Sequence, residues 1–261
     1  MSKGFSNFLK DLDPVLHGQF TVERYKQGLT GKHRNVPDPV FSFNKPTFKK
    51  KVKLPLASTN ARASDYLKKR KLNPTKFYYT DKFKHFCNTH KPTFESTRND
   101  HARIVIPMYD ENNSLIGFQG RALDAFQKPK YLTVMLNEDS PKLYGLDTLD
   151  KEKPIYIVEG PFDSTLLENS VAMCGSDVDI RTLGWSNYIW VFDNEPRNRE
   201  NISRISNTID RGDQVVIWPN HIVEKDINDM VLSGRNVEDL LESNTYSGLE
   251  AKLKLKSWKK V

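Results

Sequence analysis

Cysteine is scarce in this chain, with two residues in 261, Cys87 and Cys174, and no Cys-x-x-Cys pair. That excludes a disulfide scaffold and a zinc ribbon, and leaves two reduced, ordinary side chains. His85, Cys87 and His90 form at most a partial metal cluster, and with no fourth ligand nearby they read as structural. Long apolar runs are missing too. No stretch approaches the roughly 20 residues a membrane helix needs, and the N-terminus carries no apolar signal segment. The expectation is a cytoplasmic protein that engages no membrane. Internal repeats are absent, and so is Gly-x-x-x-x-Gly-Lys-Ser/Thr. Gly28-Leu29-Thr30-Gly31-Lys32 has the wrong spacing, which argues against an attached ATPase motor.

What the chain has is charge, unevenly spread. Residues 1–100 carry 21 Lys and Arg against 8 Asp and Glu, residues 101–250 carry 14 against 25, and the last eleven add five lysines. Basic segments neutralise nucleic-acid phosphates by releasing counterions, whereas an acidic pocket repels phosphates unless a metal cation sits in it. The two halves make joint sense if nucleic acid lies on one and reacts at the other.

Residues 1–60 read as a basic linker or arm. Pro14, Pro37, Pro39, Pro46 and Pro55 interrupt them, short helices are expected over 4–12 and 22–27, and Lys49-Lys50-Lys51-Val52-Lys53 is a basic run. Residues 61–152 form a second segment, with a helix over 61–71 ending in Lys68-Lys69-Arg70-Lys71 and a strand at 77–79. Within it, strands 103–109 and 114–121 flank the turn Asp110-Glu111-Asn112-Asn113. This hairpin places Arg103 and Arg121 opposite each other, an arrangement that is unfavourable unless an anion lies between them. From 153 to 235 strands alternate with helices: strands 155–158, 171–174, 188–192 and 214–218, helices 161–168, 178–183, 199–210 and 226–233. The fold class is therefore α/β, an α+β N-terminal subdomain followed by a Rossmann-like domain with a mostly parallel sheet. Residues 236–261 add a helix and a basic tail.

Carboxylates close the buried strands. Glu159 follows Ile155-Tyr156-Ile157-Val158, Asp193 and Glu195 follow Tyr188-Ile189-Trp190-Val191-Phe192, and Asp226 and Asp229 come shortly after Gln214-Val215-Val216-Ile217-Trp218. The carboxyl ends of parallel strands are where open α/β sheets hold ligands. Asp193 and Glu195, two apart, can face one cation, and hard oxygen donors without His or Cys favour Mg²⁺ or Mn²⁺. Plainer readings stand beside this one. Asp226 suits a helix N-cap, Asp229 a first helical turn and Asp163 the start of its helix, while the lysine runs suit solvated faces.

These segments resemble the catalytic core of DnaG-type DNA primases, especially those of large tailed bacteriophages. Glu159-Gly160-Pro161-Phe162-Asp163 looks like the first Toprim motif, Asp193-Asn194-Glu195 like the second, and Lys225-Asp226-Ile227-Asn228-Asp229 like the segment after the next strand. Upstream, Arg103–Pro107, Gly117-Phe118-Gln119-Gly120-Arg121, Pro129-Lys130-Tyr131-Leu132 and Leu143-Tyr144-Gly145-Leu146 look like the motifs of the primase N-terminal subdomain. The resemblance implies that Glu159, Asp193, Glu195 and Asp226 surround the metals, with Glu159, Asp193 and Glu195 catalytic. It implies that Arg103, Arg121, Lys130 and Lys142 hold template or incoming nucleotide. It also implies primer synthesis from ribonucleoside triphosphates on single-stranded DNA and a replicative helicase as partner. The second motif is Asp-x-Glu rather than the commoner Asp-x-Asp, which lengthens one ligand by a methylene. The family's N-terminal zinc-binding module has no counterpart among these motifs, so a separate zinc-binding polypeptide is expected to supply it. Two other functions fit the same residues: a Toprim-family nuclease using the same metals, and a non-catalytic DNA-binding replication subunit.

Overall fold

The computed structural model describes residues 3–26, 52–175 and 178–261. The chain divides into two units, residues 1–46 and 47–261. In the first, α1 (Lys3–Leu12) and α2 (Pro14–Lys26) are separated by Asp13, whose Oδ1 accepts from Val15 N at 2.8 Å. Proline is tolerated at a first helical position, so α2 starts at Pro14, well before the expected 22. The basic run at 49–53 lies largely outside the described residues.

The second unit opens with α3 (Ala61–Lys69), capped by Asn60, whose side chain accepts from Ala63 N. β1 (Tyr78–Thr80) and α4 (Phe83–His90) follow, then β2 (Arg103–Tyr109), β3 (Leu115–Ala122) and β4 (Tyr131–Met135). The four strands form an antiparallel sheet in the order β1-β2-β3-β4. Cys87 is buried against it and the His90 ring packs on Phe86 and Phe118, whereas His85 is exposed, so the three do not share one site.

A second sheet takes β5 (Ile155–Val158), β6 (Ser170–Ala172), β7 (Tyr188–Trp190), β8 (Gln214–Val216) and β9 (Thr245–Tyr246) in the order β6-β5-β7-β8-β9. All pairs are parallel except β8–β9. Its helices are α5 (Pro161–Ser164), α6 (Arg199–Asp210), α7 (Ile227–Leu232), α8 (Val237–Ser243) and α9 (Gly248–Trp258). The mixed α/β architecture matches the expectation, with two differences. α5 is one turn, not two, because Leu166 N and Leu167 N bond three residues back, to Asp163 O and Ser164 O, and tighten the chain out of the helix. The boundary expected at 235 is not an edge of the core. Val237, Leu241, Ala251, Leu255 and Trp258 join the same apolar cluster as Ile157, Ile189 and Val215, and β9 extends the sheet.

Candidate active site

The parallel order of β5, β7 and β8 brings their carboxyl ends side by side, and the acidic residues follow from that. Glu159 follows β5 immediately before Gly160-Pro161, where proline at the first helical position starts α5. Asp193 and Glu195 leave the sheet past β7. Asp226 caps α7, its Oδ1 accepting from Asp229 N at 2.8 Å. It also lines the cleft, so its capping bond does not take it out of the site.

The cleft encloses about 480 Å³. One wall is acidic, formed by Glu159, Asp163, Asp193, Asp226 and Asp229, and the other carries Arg70, Gln119, Lys130 and Tyr131 from the N-terminal part of the unit. The acidic groups act on one another. Burial first, then the charges of Glu159, Asp163 and Asp226, push the Asp193 carboxyl up to about 7. Asp163 is likewise pushed up to about 7 by burial and then by Asp226, although Asn228 N donates to its Oδ1 at 3.0 Å. Desolvation and Asp226 raise Asp229 as well.

Two basic groups engage the carboxylates. Arg204 Nη1 donates to Glu159 Oε1 at 2.9 Å, and Lys225 Nζ lies 2.9 Å from Glu195 Oε1 and 3.8 Å from Asp193 Oδ2. As placed, no three His, Cys, Asp or Glu side chains among the described residues converge closely enough to hold a metal ion. The donor set nevertheless fits a hard divalent cation. Asp193, Asp163 and Asp229, raised first by burial and then by neighbouring carboxylates, mark a site short of positive charge, while Glu159 and Glu195 are each engaged by a basic side chain. Neither Arg204 nor Lys225 is marked as a site residue by sequence reasoning. Lys225 sits inside the quoted Lys-Asp-Ile-Asn-Asp segment, but Arg204 carries no signal, since only the fold brings α6 to Glu159.

The basic wall is built from stacked rings and cations. Arg121 lies 4.7 Å from the Tyr131 ring centroid and 5.9 Å from that of Tyr66, and Arg70 lies 5.1 Å from Tyr66. Arg121 Nη1 donates to Tyr131 Oη at 2.6 Å. Lys130 stands exposed at the rim, its ammonium pushed below the usual range by desolvation and then by Arg121 and Arg70. Arg70, part of a run that reads as a solvated face, instead pairs with the buried Asn228 of α7, Nη1 to Oδ1 at 2.9 Å. Lys142 does not line the cleft, though its charge acts on Cys174, which does.

Arg103 departs from expectation. A bulge between Met108 and Tyr109 shifts the hairpin register by one, so Arg103 pairs with Ala122 and Arg121 with Ile104. Successive strand residues point to opposite faces, and the expected anion clamp between the two arginines does not form. Arg103 is 1% exposed. Its guanidinium donates to Gly120 O and Pro129 O, each at 2.8 Å, and to Lys130 O at 3.3 Å. It therefore anchors the segment that carries Lys130 and does not reach a ligand.

Residues 88–149 match the family described as the DNA primase catalytic core, N-terminal domain. Over 269 aligned residues the chain is 30% identical to the DNA primase of Enterobacteria phage T4, spanning 97% of this chain and 78% of that protein. The chain belongs to the DNA primase family. Its activity is accordingly that of a primase catalytic core, the synthesis of primers for DNA replication. The fold is that of the E. coli primase catalytic core, with a TM-score of 0.54 and 19% identity, covering 76% of each chain. It is similar also to a DnaG primase catalytic domain solved bound to single-stranded DNA, at TM-score 0.52 and 18% identity, over 73% of this chain and 75% of that one. Matches to three bacterial primases span only 12% to 28% of those longer proteins.

Proposed function

We propose that the cleft joins ribonucleotides on a single-stranded DNA template, with Glu159, Asp193, Glu195 and Asp226 holding Mg²⁺ or Mn²⁺ and the basic wall holding the polyanions. The observation that carries this reading is the facing of mutually repelling carboxylates against Arg70, Lys130 and Tyr131 in one cleft, with the buried Arg121 donating to Tyr131. When bound, the cation supplies a Lewis acid for a developing alkoxide and a shield for triphosphate oxygens. The chain's own residues bind and orient. Lys130 and Arg70 take up phosphate oxygens, and Arg121 fixes Tyr131 at the floor. Lys225 offsets the charge of Glu195 and of Asp193 until the cleft is loaded. Catalysis on this reading is positioning and charge neutralisation, the pattern expected of phosphoryl transfer. A replicative helicase is the partner that delivers single-stranded template, which places the protein in the cytoplasm where template and nucleotides meet.

The test is incorporation of labelled ribonucleotides on single-stranded DNA with Mg²⁺ or Mn²⁺. Asp193→Ala should lower the rate more than about a hundredfold, as loss of a charge-stabilising group does. An unchanged rate would reject the site. DNA cleaved without nucleotides would instead indicate a nuclease.

A further inference from the structure

Asn194, between the two carboxylates of the second acidic motif, spends its hydrogen bonds on two separate segments, residues 222–225 and α9. Its backbone N donates to Lys225 O at 2.6 Å, one residue before Asp226. Its side-chain Nδ2 donates to Ile222 O at 2.9 Å and to Glu224 O at 3.0 Å. Its Oδ1 accepts from Trp258 Nε1 at 3.0 Å, on α9. The amide fits only this way round, because turning it over would set two carbonyls against an oxygen and an N–H against an amino group. Close by, Lys260 N donates to Pro196 O at 2.8 Å. Asn194 thus ties the backbone bearing Asp193 and Glu195 to the backbone bearing Asp226, and α9 locks the tie. The carboxylates on those two segments repel one another, so without such a tie the segments would drift apart.

We propose that Trp258 is a positioning residue of the acidic site, whose indole N–H holds Asn194 so that Asp193, Glu195 and Asp226 keep a spacing one divalent cation can bridge. The inference rests on the reading of those carboxylates as metal ligands. Trp258 itself is 3% exposed and packs among Ala251 and Leu255, so packing and positioning must be separated by experiment.

Mn²⁺ dissociation constants of the full chain, read by electron paramagnetic resonance of the free ion, and unfolding temperatures in chelator serve for that. Trp258→Phe keeps the ring and removes the donor. It should weaken Mn²⁺ binding about tenfold, the lower end of what outer-shell partners of metal ligands contribute. Leu255→Ala loosens α9 but keeps the indole, so it should lower the unfolding temperature and leave Mn²⁺ binding at the parent level. Asn194→Ala opens the same tie from its other end. Because it also removes the bonds to Ile222 O and Glu224 O, it should weaken binding at least as much, and the double variant with Trp258→Phe no further than Asn194→Ala alone, since the bond to the indole is already gone. Parent-like Mn²⁺ binding by Trp258→Phe would overturn the proposal, as would additive losses in the double variant or an equal loss in Leu255→Ala. Asp193→Asn separates the two readings. If it leaves Mn²⁺ binding intact, the metal reading itself falls and takes the inference with it. If it abolishes binding while Trp258→Phe does not, only the inference falls.

Discussion

Arg204 on α6 holds Glu159 through a 2.9 Å hydrogen bond, so the leading carboxylate of the acidic set is engaged by a residue 45 positions downstream. Both side chains are about one-third exposed, at 36% and 35%, and a pair so exposed contributes no more than about 1 kcal/mol. That is enough to compete with a cation. Arg204→Met should release Glu159 and tighten Mn²⁺ binding about two- to fivefold in a titration against the parent. Weaker binding would mean that Arg204 orients Glu159 for the ion.

Asp163 makes the metal-free protein pH-sensitive. Its carboxyl is raised from 3.8 to about 7 by burial and then by Asp226. At pH well below 3.8 both folded and unfolded chains carry the proton, and the group contributes nothing. As pH rises the unfolded chain ionises first, so the folded state loses stability progressively up to about 7 and keeps the full penalty above it. Asp163→Asn retains the acceptor for Asn228 N and removes the charge. In chelator it should raise the unfolding temperature at pH 8 and leave it unchanged at pH 3. A gain of equal size at both would locate the effect elsewhere.

Much of this molecule is legible before folding. The apolar runs ending in Glu159 and in Asp193 become β5 and β7 because buried parallel strands read as uninterrupted hydrophobic stretches. Asp226 is legible twice, as cap and as cleft residue. The arginine hairpin is misread for a local reason: the bulge at Met108/Tyr109 has no composition signal, yet one extra residue reverses which face Arg103 meets. β9 is two residues long and too short to pattern. The spacing of Ala251, Leu255 and Trp258 does mark one face of a helix, but the interleaved lysines make the segment look like a solvated tail. Arg204 and Trp258 meet the acidic site only in three dimensions, and no local pattern announces them.

Arg103 is a structural cation, which separates it experimentally from Lys130. Burial lowers its pKa, and three backbone carbonyls satisfy the guanidinium. Arg103→Met preserves much of the stem and strips the carbonyls of their donors, so denaturant unfolding should show a loss of about 3 kcal/mol. Lys130→Met should cost little stability, and its effect should appear as weaker, less salt-dependent binding of single-stranded DNA. If Arg103→Met instead unfolds like the parent and binds DNA less tightly, the buried guanidinium has been assigned the wrong work.

Gly120 is required by the ring beneath it. A Cβ at this position would stand 2.5 to 2.7 Å from three carbons of the Phe83 ring, and Phe83 is fully buried. The ring cannot retreat freely, because Arg103 lies over it at 5.8 Å while donating to Gly120 O. A methyl group here must therefore push β3 away from α4 or force Phe83 off its rotamer, and overpacking of this kind costs about 1–3 kcal/mol. Since Arg103 also bonds the carbonyls of Pro129 and Lys130, the displacement passes to the segment presenting Lys130. Gly120→Ala should lower the unfolding temperature by several degrees, roughly 2–4 °C for each kcal/mol in a chain of this size. It should also weaken DNA binding, whereas Gly120→Ala combined with Phe83→Leu, which makes room for the methyl, should recover part of both losses.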